Sequence, residues 1–580
     1  MKKNAAKGAI PMRKLTFGTP EKFVPTRFCK GLRLEETDFI PPEITFRQTP
    51  RGCLLEMPLA EDEHVYGLGL QLKGFDHRQT KKVLRVNADP MNNAGDTHAP
   101  VPFFVTTKGL GVYVDTARYA EFYLGYAKLG TGQAAPASSS PADSTQELYR
   151  KQDARETRTI SIVIPAAQGV DVYLFKGENI TDAVSQYNRF SGGGCPVPDW
   201  GLGVLYRCYT KYTAEQVLEL ARYFRDRAIP CDTLGLEPGW QTQTYSCSYL
   251  WDTQRYPEPE KTLRALKDLG FHVNLWEHAY VHPSSPLYEP LKPYAGDYAV
   301  WNGLVPDFSE EAAQEIFAGY HKARLTDLGV DGFKLDECDG SDYTGDWIFP
   351  LCAQFPGGMD GEQYHSLFGT LYMQTILQAL DGAPTLSQVR NAGALAASYP
   401  FVLYSDLYSH QDFIRGTVNA GFSGLLWCPE VREGKSREDF LRRVQTVVFS
   451  DQCQINAWYC EKVPWLEWDC EDEVRALFEV RRSLLPMLRR AFDQYHTAGK
   501  PPVRALVSDY TDDPETYAID DEYLFCDRLL VAPITAAQED RRKVYLPQGT
   551  WRDYWTGERV ESGWHTVCTR NIPVYEKADA

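Results

Sequence analysis

The sequence predicts a multidomain protein in which a (β/α)8 TIM barrel is flanked by an N-terminal β-sandwich and a short C-terminal β-domain. The chain has 580 residues, which is too long for one hydrophobic core, so several domains are expected. Short strand-like runs fill the first third, whereas strand-like and helix-like runs alternate from Trp200 onward. Charged residues then close successive predicted strands, which is where barrel enzymes carry their functional side chains.

The composition is that of a globular protein without nucleic-acid or membrane partners. A net charge of −17 opposes binding to phosphate backbones and anionic lipids. No apolar run has the length of a signal peptide core or a membrane span, so we expect a cytoplasmic protein. The 14 cysteines include no Cys-x-x-Cys pair and are expected to be reduced thiols. The sequence is compatible with a monomer and with a homo-oligomer.

Residues 1–197 are predicted to form the β-sandwich. Apolar or alternating runs at 101–105, 111–115 and 159–164 are bounded by turn-forming Gly, Pro, Asp or Asn. The glycines and prolines of 191–198 indicate a linker, since no Lys-Ser or Lys-Thr pair follows them to make a phosphate-binding loop. The first domain boundary is therefore expected near residue 197.

Residues 198–493 are predicted to form the barrel. Thr213 and Gln216 make a capping box in front of an apolar helical stripe. An irregular insertion interrupts the alternation around 337–360. The residues that close successive strand-like runs are Glu237, Glu277, Asp336, Arg390, Asp406 and Glu430. Strand-like runs return in residues 494–580 and predict the C-terminal β-domain.

Asp336 is the candidate nucleophile. It ends a short buried-strand run within 328–339, and Lys334 lies two residues earlier on the same face, where a cation would keep a carboxylate ionised. Asp406 closes a later strand without a neighbouring cation, which suits a proton donor with a raised pKa. An acidic loop after a strand would give Asp336 the same spacing, so the pattern alone leaves both interpretations open.

Two carboxylates at barrel strand ends are what a retaining glycosidase needs, because one attacks the anomeric carbon while the other transfers a proton. A metal-dependent hydrolase is the main rival, since His278 and His282 lie four residues apart beside Glu277. That segment is not His-Glu-x-x-His, and residues 336–342 lack the spacing of a calcium loop. We therefore expect neither a metal nor a cofactor.

From Tyr-Gly-Leu-Gly at 66–69 to Trp-Thr-Gly at 555–557, the chain resembles glycoside hydrolase family 31, the α-glucosidase and α-xylosidase family. Gly-Val-Asp-Gly-Phe-Lys-Leu-Asp at 329–336 is similar to the nucleophile strand of that family. Arg390-Asn-Ala-Gly, followed sixteen residues later by Asp406, is similar to its acid/base segment. Single matches of this kind are weak, but their order along most of the chain is specific.

The resemblance implies exo-acting, retaining cleavage of a non-reducing terminal α-linked sugar from an oligosaccharide or glycoside. It assigns Asp336 as nucleophile and Asp406 as acid/base. Arg390 would grip a sugar hydroxyl, and Asp89 would reach the pocket rim from the N-terminal domain. The further predicted substrate-binding residues are Glu237, Trp240, Trp276, Lys334, Trp427, Glu430 and Trp458.

Three departures from the family pattern bear on the substrate. Glu237 stands where α-glucosidases carry an Asp that holds the 4-hydroxyl, and residues 427–432 replace an Asp-Ile-Gly-Gly segment. Residues 456–458 show no counterpart of a hydroxyl-binding His. Because buried hydrogen-bonding sites reject sugars that leave them unpaired, these changes favour an α-galactoside. An α-glucosidase, an α-xylosidase, an α-transglycosylase and a carbohydrate-binding protein without catalysis are the alternatives.

The substrate-binding predictions also have structural alternatives. Glu237 and Glu430 could be salt-bridged structural acids, and Arg390 could be a structural ion-pair partner. Trp240, Trp276 and Trp458 could be ordinary core aromatics. Sequence alone does not separate these readings.

Overall fold

The computed structural model describes residues 12–34, 37, 39–126, 158–341, 347–405, 409–432, 434–538 and 540–578. The candidate acid/base residue Asp406 therefore lies outside the described residues, as does part of the insertion predicted around 337–360.

The N-terminal region is a sandwich of two five-stranded antiparallel sheets. Its strands are β1 (Met12–Thr19), β2 (Thr45–Thr49), β3 (Gly52–Pro58), β4 (Val65–Gly67), β5 (Thr80–Val83), β6 (Phe103–Thr106), β7 (Leu110–Asp115), β8 (Glu121–Leu124), β9 (Thr159–Pro165) and β10 (Gln168–Lys176). The sheet orders are β1-β10-β7-β6-β4 and β2-β3-β9-β8-β5. Two helices accompany them, α1 (Pro25–Phe28) and α2 (Ile180–Phe190).

Alternation of side chains fixes how the two sheets face each other. In β3, buried residues alternate with partly exposed ones, as a strand with one face in a core requires. The buried set includes Leu55 and Ile162 from one sheet and Phe104 and Val172 from the other. These side chains form the core between the sheets, so each inner face excludes water while the other face meets solvent or the barrel.

The central region is built on seven parallel strands in the order β16-β15-β14-β13-β12-β11-β17. They are β11 (Val204–Arg207), β12 (Thr233–Leu236), β13 (His272–His278), β14 (Gly332–Asp336), β15 (Ser387–Val389), β16 (Phe401–Leu403) and β17 (Cys453–Asn456). All of these strands are buried over most of their length, as expected of a parallel sheet covered on both faces.

The extended segment 426–431 links the two edge strands of this sheet. The main-chain N–H of Cys428 donates to Leu403 of β16, and that of Asn456 in β17 donates to Val431. Both bridges are parallel, so the segment takes the place of an eighth strand. The predicted barrel between two β-rich regions is thereby confirmed.

Helices surround the barrel as the alternating pattern predicts. They are α3 (Asp199–Leu202), α4 (Ala214–Asp226), α5 (Pro259–Asp268), α6 (Tyr288–Leu291), α7 (Glu311–Arg324), α8 (Gly361–Leu380), α9 (His410–Asn419), α10 (Arg437–Val448), α11 (Pro464–Glu467) and α12 (Glu471–Ala498). The capping box of Thr213 and Gln216 is present at the start of α4, whose buried face includes Val217, Leu220 and Phe224. Short 3-10 helices are at Pro238–Trp240, Lys292–Tyr294, Thr326–Leu328, Ala420–Ser423, Pro514–Thr516 and Ala536–Gln538.

The C-terminal region is a six-stranded sheet with an additional two-stranded pair. Its elements are β18 (Val503–Ala505), α13 (Leu506–Asp509), β19 (Tyr523–Phe525), β20 (Leu529–Val531), β21 (Arg541–Leu546), β22 (Trp551–Asp553), β23 (Arg559–Val560), β24 (Gly563–Cys568) and β25 (Val574–Lys577). Strands β22 and β23 form a hairpin in which Trp551 faces Val560.

In the described ranges, no helix is both long enough and apolar enough to cross a membrane.

Candidate active site

Asp336 closes β14 at the carboxyl edge of the barrel, opposite His278 at the end of β13. Its side chain is largely buried, and its residue is 9% exposed. The Trp276 indole donates to Oδ2 at 2.6 Å, and the Glu337 main-chain N–H donates to Oδ1 at 2.9 Å. A guanidinium nitrogen of Arg390 lies 4.0 Å from Oδ1. These contacts orient a carboxylate that keeps a small solvent-exposed fraction.

Lys334 shares a strand face with Asp336 but pairs with Glu237 instead. Its Nζ lies 3.3 Å from Glu237 Oε2, and both side chains are almost completely buried. Strand alternation puts Lys334 and Asp336 on one face of β14, and the structure places Lys334 one layer below Asp336, paired with Glu237. Arg390 is therefore the cation beside Asp336.

Glu237 belongs to a buried polar layer across the barrel interior. Arg207 donates through Nε to Glu237, and its Nη1 donates to Asn274 at 2.8 Å and to Gln388 at 3.2 Å. With Lys334 on its other side, the Glu237 carboxylate lies between two cations. A buried acid is tolerated only with such partners, so this ion-pair network fixes the carboxylate in place beneath the nucleophile.

Arg390 is itself held by an acid that sequence reasoning missed. Its Nε donates to Asp339 Oδ2 at 3.0 Å, and His98 Nδ1 lies 2.5 Å from the same oxygen. Burial opposes ionisation of Asp339, but the Arg390 guanidinium and His98 outweigh it and hold the pKa of this carboxyl well below its usual range. Asp339 is thus an anion that orients Arg390.

Five aromatic side chains form a wall beside Asp336. They are Tyr245, Trp276, His278, Tyr280 and Trp301. The ring centres of Tyr245 and Trp301 are 4.8 Å apart, edge to face, and Trp276 and His278 are 5.4 Å apart. Tyr245 is 52% exposed although its neighbours are buried or partly buried. Aromatic surfaces of this kind stack on the C–H faces of sugars. Trp276 is the ring of this wall that the sequence analysis predicts as a substrate-binding residue.

Glu337 follows the nucleophile in a left-handed backbone conformation with φ of 54°. Its Oε1 accepts a hydrogen bond from the Tyr245 hydroxyl at 3.0 Å. Burial and the charge of Asp336 raise the pKa of Glu337 to about 8, although Arg390 opposes the shift. The raised pKa means that Glu337 holds its proton more tightly than an exposed glutamate does, which limits the negative charge beside Asp336.

Tyr404 comes just after β16, which lies two strands from β14 in the barrel sheet. Its ring centre is 4.8 Å from Lys334 Nζ and 5.6 Å from Arg390 Cζ. Burial, followed by the Asp336 charge, raises the pKa of the phenol well above its usual value. Among the described residues, the hydroxyls of Tyr404 and Ser405 are buried without a hydrogen-bond partner. These two hydroxyls come directly before Asp406 in the chain.

Trp240 and Trp427 occupy packing positions. Both are fully buried; the Trp240 indole donates to the Trp276 carbonyl at 2.7 Å, and the Trp427 indole donates to the Phe413 carbonyl at 3.1 Å. With their polar atoms paired to the main chain, these indoles pack the barrel rather than face the cleft. Trp276 differs from them because its own indole reaches Asp336.

Glu430 and Trp458 lie on the closing side of the barrel. Glu430 is 1% exposed and accepts from the amides of Gln454 at 2.8 Å and Asn456 at 2.9 Å, which ties segment 426–431 to β17. Trp458 is partly buried, and the Arg432 guanidinium carbon lies 5.7 Å from its ring centre. The structure thus places them away from the direct partners of Asp336.

Asp89 lies on a loop of the sandwich that packs against the barrel. Its main-chain N–H donates to Asn87 Oδ1 at 3.1 Å, and Ser341, five residues after the nucleophile, donates to the same oxygen at 3.0 Å. Asp89 lines a cavity of about 350 Å³ together with Arg85, Asn87 and Met91. The loop therefore borders the segment that follows β14.

The histidines considered as metal ligands have other partners. His278 Nε2 lies 2.8 Å from the Thr244 carbonyl, and His282 Nδ1 lies 2.8 Å from the Ser284 hydroxyl. Burial lowers the pKa of His278 to about 4, so the ring beside Asp336 is neutral. Within the part of the chain that is described, no three His, Cys, Asp or Glu side chains come together as a metal site would need.

Three family models match consecutive parts of the chain. The Glycosyl hydrolase 31 N-terminal galactose mutarotase-like domain matches residues 36–122. The Glycosyl hydrolases family 31 TIM-barrel domain matches residues 195–491, which is about half of the chain. The Glycosyl hydrolase family 31 C-terminal domain matches residues 499–580.

Curated relatives cover most of the chain at low identity. An α-xylosidase of Emericella nidulans is 24% identical over 553 residues, which cover 88% of this chain and 65% of the relative. An α-glucosidase 2 of Bacillus thermoamyloliquefaciens is 26% identical over 576 residues, which cover 90% and 68%. The chain therefore spans about two thirds of the length of these relatives.

Solved structures share the architecture. A family 31 dextranase of Flavobacterium johnsoniae, complexed with glucose, superposes with a TM-score of 0.79 at 20% identity, over 92% of this chain and 68% of the dextranase. An α-xylosidase from a soil metagenome, complexed with xylose, has a TM-score of 0.77 at 19% identity and is covered over 81% of its length. At these identities the likeness supports the fold.

Proposed function

Because the chain belongs to glycoside hydrolase family 31, we propose that it is a retaining, exo-acting α-glycosidase that releases a non-reducing terminal sugar by double displacement. Family membership makes it a glycoside hydrolase, and the predicted resemblance is confirmed. The stereochemistry and the site residues are our proposal. The observation that carries it is Asp336, an oriented carboxylate at a barrel strand end that accepts from Trp276 and lies beside Arg390.

In the first step, a carboxylate oxygen of Asp336 attacks the anomeric carbon and the bond to the leaving oxygen breaks. Asp406 gives its proton to that oxygen, leaving a glycosyl ester on Asp336. In the second step, water attacks the same carbon, Asp406 takes a proton from it, and the ester bond returns its electrons to Asp336. Two inversions give net retention. This scheme requires the two carboxyl groups to lie about 5 to 5.5 Å apart.

The charges around Asp336 support the nucleophile role. The transition state carries positive charge on the sugar ring, which an ionised carboxylate stabilises. Arg390 and the Trp276 indole orient that carboxylate without transferring a proton to it. The charge of Asp336 and burial raise the pKa of Glu337, which favours the neutral form of Glu337 beside an ionised Asp336.

For the sugar itself we propose an α-galactoside. Glu237 stands where an Asp holds the 4-hydroxyl in α-glucosidases of the resembled pattern, and its longer side chain is pinned by Arg207 and Lys334. A carboxylate that cannot move favours one configuration of a hydroxyl over the other, since the wrong epimer leaves buried polar atoms unpaired. The named relatives support α-glucoside and α-xyloside as the alternatives, and transfer to a second sugar is the alternative outcome of the second step.

A panel of p-nitrophenyl α-glycosides tests this proposal directly. The galactoside, glucoside, xyloside and N-acetylgalactosaminide are each assayed, and proton NMR identifies the first anomer released. We expect turnover with the α-anomer formed first and the galactoside preferred. Initial release of the β-anomer would refute retention, whereas preference for glucoside or xyloside would refute only the sugar.

A matched pair of variants assigns the activity to Asp336. Asp336→Asn removes the carboxylate at the carboxyl end of β14 and should abolish turnover. Asp331→Asn changes an acid at the opposite end of the same strand segment, where Oδ2 accepts from the Val273 N–H at 2.9 Å. It should retain activity, since that end of a barrel strand contributes to stability rather than to catalysis.

A further inference from the structure

We infer that His98, supplied by the N-terminal sandwich, is a positioning residue for the nucleophile and acts through Asp339 and Arg390. The inference rests on the proposed function, in which Asp336 attacks the sugar. It assigns a role in the reaction to the N-terminal domain, although His98 itself contacts no reacting atom.

Three successive contacts connect His98 to Asp336. His98 Nδ1 lies 2.5 Å from Asp339 Oδ2, with both side chains essentially inaccessible to solvent. The same oxygen accepts from Arg390 Nε at 3.0 Å, and Arg390 Nη1 lies 4.0 Å from Asp336 Oδ1. Since the carboxylate can only accept, the proton of the first contact is on His98 Nδ1.

The sandwich holds His98 rigidly against the barrel. The preceding residue, Thr97, forms a parallel bridge with Val86, and its main-chain N–H donates to the Arg85 carbonyl at 3.0 Å. A second contact joins the same loop to the barrel, because Ser341 donates to Asn87 Oδ1 at 3.0 Å. The backbone that carries His98 is therefore held by main-chain pairing within the sandwich, independently of the contact between the imidazole and Asp339.

This arrangement controls where the Arg390 charge lies. Asp339 accepts from a donor on each side of one oxygen, so its position is set by His98 as well as by Arg390. Without the imidazole, the carboxylate can rotate or shift toward the vacated space, and the guanidinium follows it. Electrostatic interactions are strongest where water is excluded. Because this site is almost inaccessible to solvent, a guanidinium that moves away from Asp336 loses much of its attraction to that carboxylate.

Three variants separate positioning from simple destabilisation. His98→Leu removes the donor, whereas His98→Asn keeps an N–H near the Nδ1 position. His77→Leu is the matched control, since His77 is another buried histidine of the sandwich and bonds the Gly67 carbonyl at 3.0 Å. Each is compared with wild type for kcat and KM on the p-nitrophenyl α-glycoside that wild type cleaves best.

We expect His98→Leu to lower kcat about 10- to 100-fold with KM within about threefold, the range for losing a hydrogen bond to a charged group. His98→Asn should recover most of the rate, and His77→Leu should lower the melting temperature with kcat close to wild type. Wild-type kcat in His98→Leu, or equal losses in His98→Leu and His98→Asn, would overturn the inference.

Crystal structures of wild type, His98→Leu and His98→Asn make the result independent of activity. We expect the Arg390 guanidinium to move away from Asp336 in the leucine variant and to return in the asparagine variant. An unmoved Arg390 would overturn the inference even if no glycoside of the panel were cleaved, while a moved Arg390 in a protein without turnover would contradict the proposed function alone.

Discussion

The two walls of the cleft differ in how their polar atoms are satisfied. On the wall formed by β13 and β14, Asp336 accepts from Trp276 and from main chain, and Glu337 accepts from Tyr245. On the wall that follows β16, the buried hydroxyls of Tyr404 and Ser405 have no partner among the residues that the structure describes. A buried polar group without a partner costs free energy, so the two walls differ in the hydrogen bonds that their described residues make.

The difference indicates a division of labour. The satisfied wall holds Asp336, the proposed nucleophile, in one orientation before any substrate arrives, which lowers the reorganisation needed during the proposed reaction. The unsatisfied wall keeps hydrogen-bonding capacity that a polyhydroxylated ligand can meet. Strained or unsatisfied groups are commonly kept at functional sites for this reason.

Removing the nucleophile is the strongest test of the satisfied wall. Asp336→Ala should lower kcat/KM by at least about 10⁴-fold, because no other group forms the covalent intermediate. Circular dichroism should show an unchanged fold, and a mechanism-based fluoroglycoside should label wild type but not the variant. Normal turnover by Asp336→Ala would remove the basis of the comparison.

Asp406, which lies outside the described residues, is tested through its proposed acid/base role. Asp406→Ala should lower kcat by about 10²- to 10⁴-fold on substrates with poor leaving groups and by much less on activated aryl glycosides, because only proton delivery is lost. Added azide should restore part of the rate and yield a glycosyl azide. Equal losses on both classes of leaving group, with no azide product, would argue against the acid/base role.

A pair of conservative variants compares the walls directly. Trp276→Phe removes a donor to a charged oxygen and should cost about 10- to 100-fold in kcat and also lower stability, since the indole is buried. Tyr404→Phe removes a hydroxyl that has no partner among the described residues, and it should cost only about 3- to 10-fold in kcat/KM while leaving stability equal or higher. Thermal unfolding and steady-state kinetics measure both effects. A less stable Tyr404→Phe would mean that its hydroxyl is satisfied without substrate.

The sequence was sufficient for the parts of this site that depend on local pattern. Strand alternation and a capping box predicted the barrel, and strand ends identified Asp336, Glu237 and Arg390 as residues of its carboxyl edge. Lys334 was placed on the correct face, but its partner is Glu237 on a strand 97 residues earlier. The alternation of residues along a strand predicts the face on which a side chain lies. It does not predict which layer of the barrel interior that side chain occupies.

Contacts between distant segments could not be predicted in the same way. His98 and Asp339 are 241 residues apart, and Tyr245 and Glu337 are 92 apart, so no local spacing connects them. Trp240 and Trp427 stood next to predicted strand ends like Trp276, yet only the indole of Trp276 turns toward Asp336. An aromatic side chain can pack in a hydrophobic core or stack on a sugar, and the residue type is the same in both cases. Tertiary packing decides which of the two roles it has.

Substitution of Glu337 is expected to have the smallest effect. It tests whether the wall formed by β13 and β14 depends on the proton that the Glu337 carboxyl group binds. Burial and Asp336 raise its pKa to about 8 from an ordinary value of 4.5, with Asp339 adding to the shift and Arg390 opposing it. The folded protein therefore binds this proton more tightly than the unfolded chain does. Its contribution to stability is fully present below about pH 4.5 and is lost as the pH rises to about 8.

Glu337→Gln keeps a neutral side chain at every pH and should remove that dependence. We expect the melting temperature of the variant relative to wild type to rise between pH 5 and 8 and to level off above pH 8, where wild-type Glu337 is ionised beside Asp336. Glu558→Gln, at an exposed position, should show a constant difference over the same range. A flat difference for Glu337→Gln would mean that Glu337 is already ionised at neutral pH, so that the wall carries two negative charges and Arg390 must compensate both.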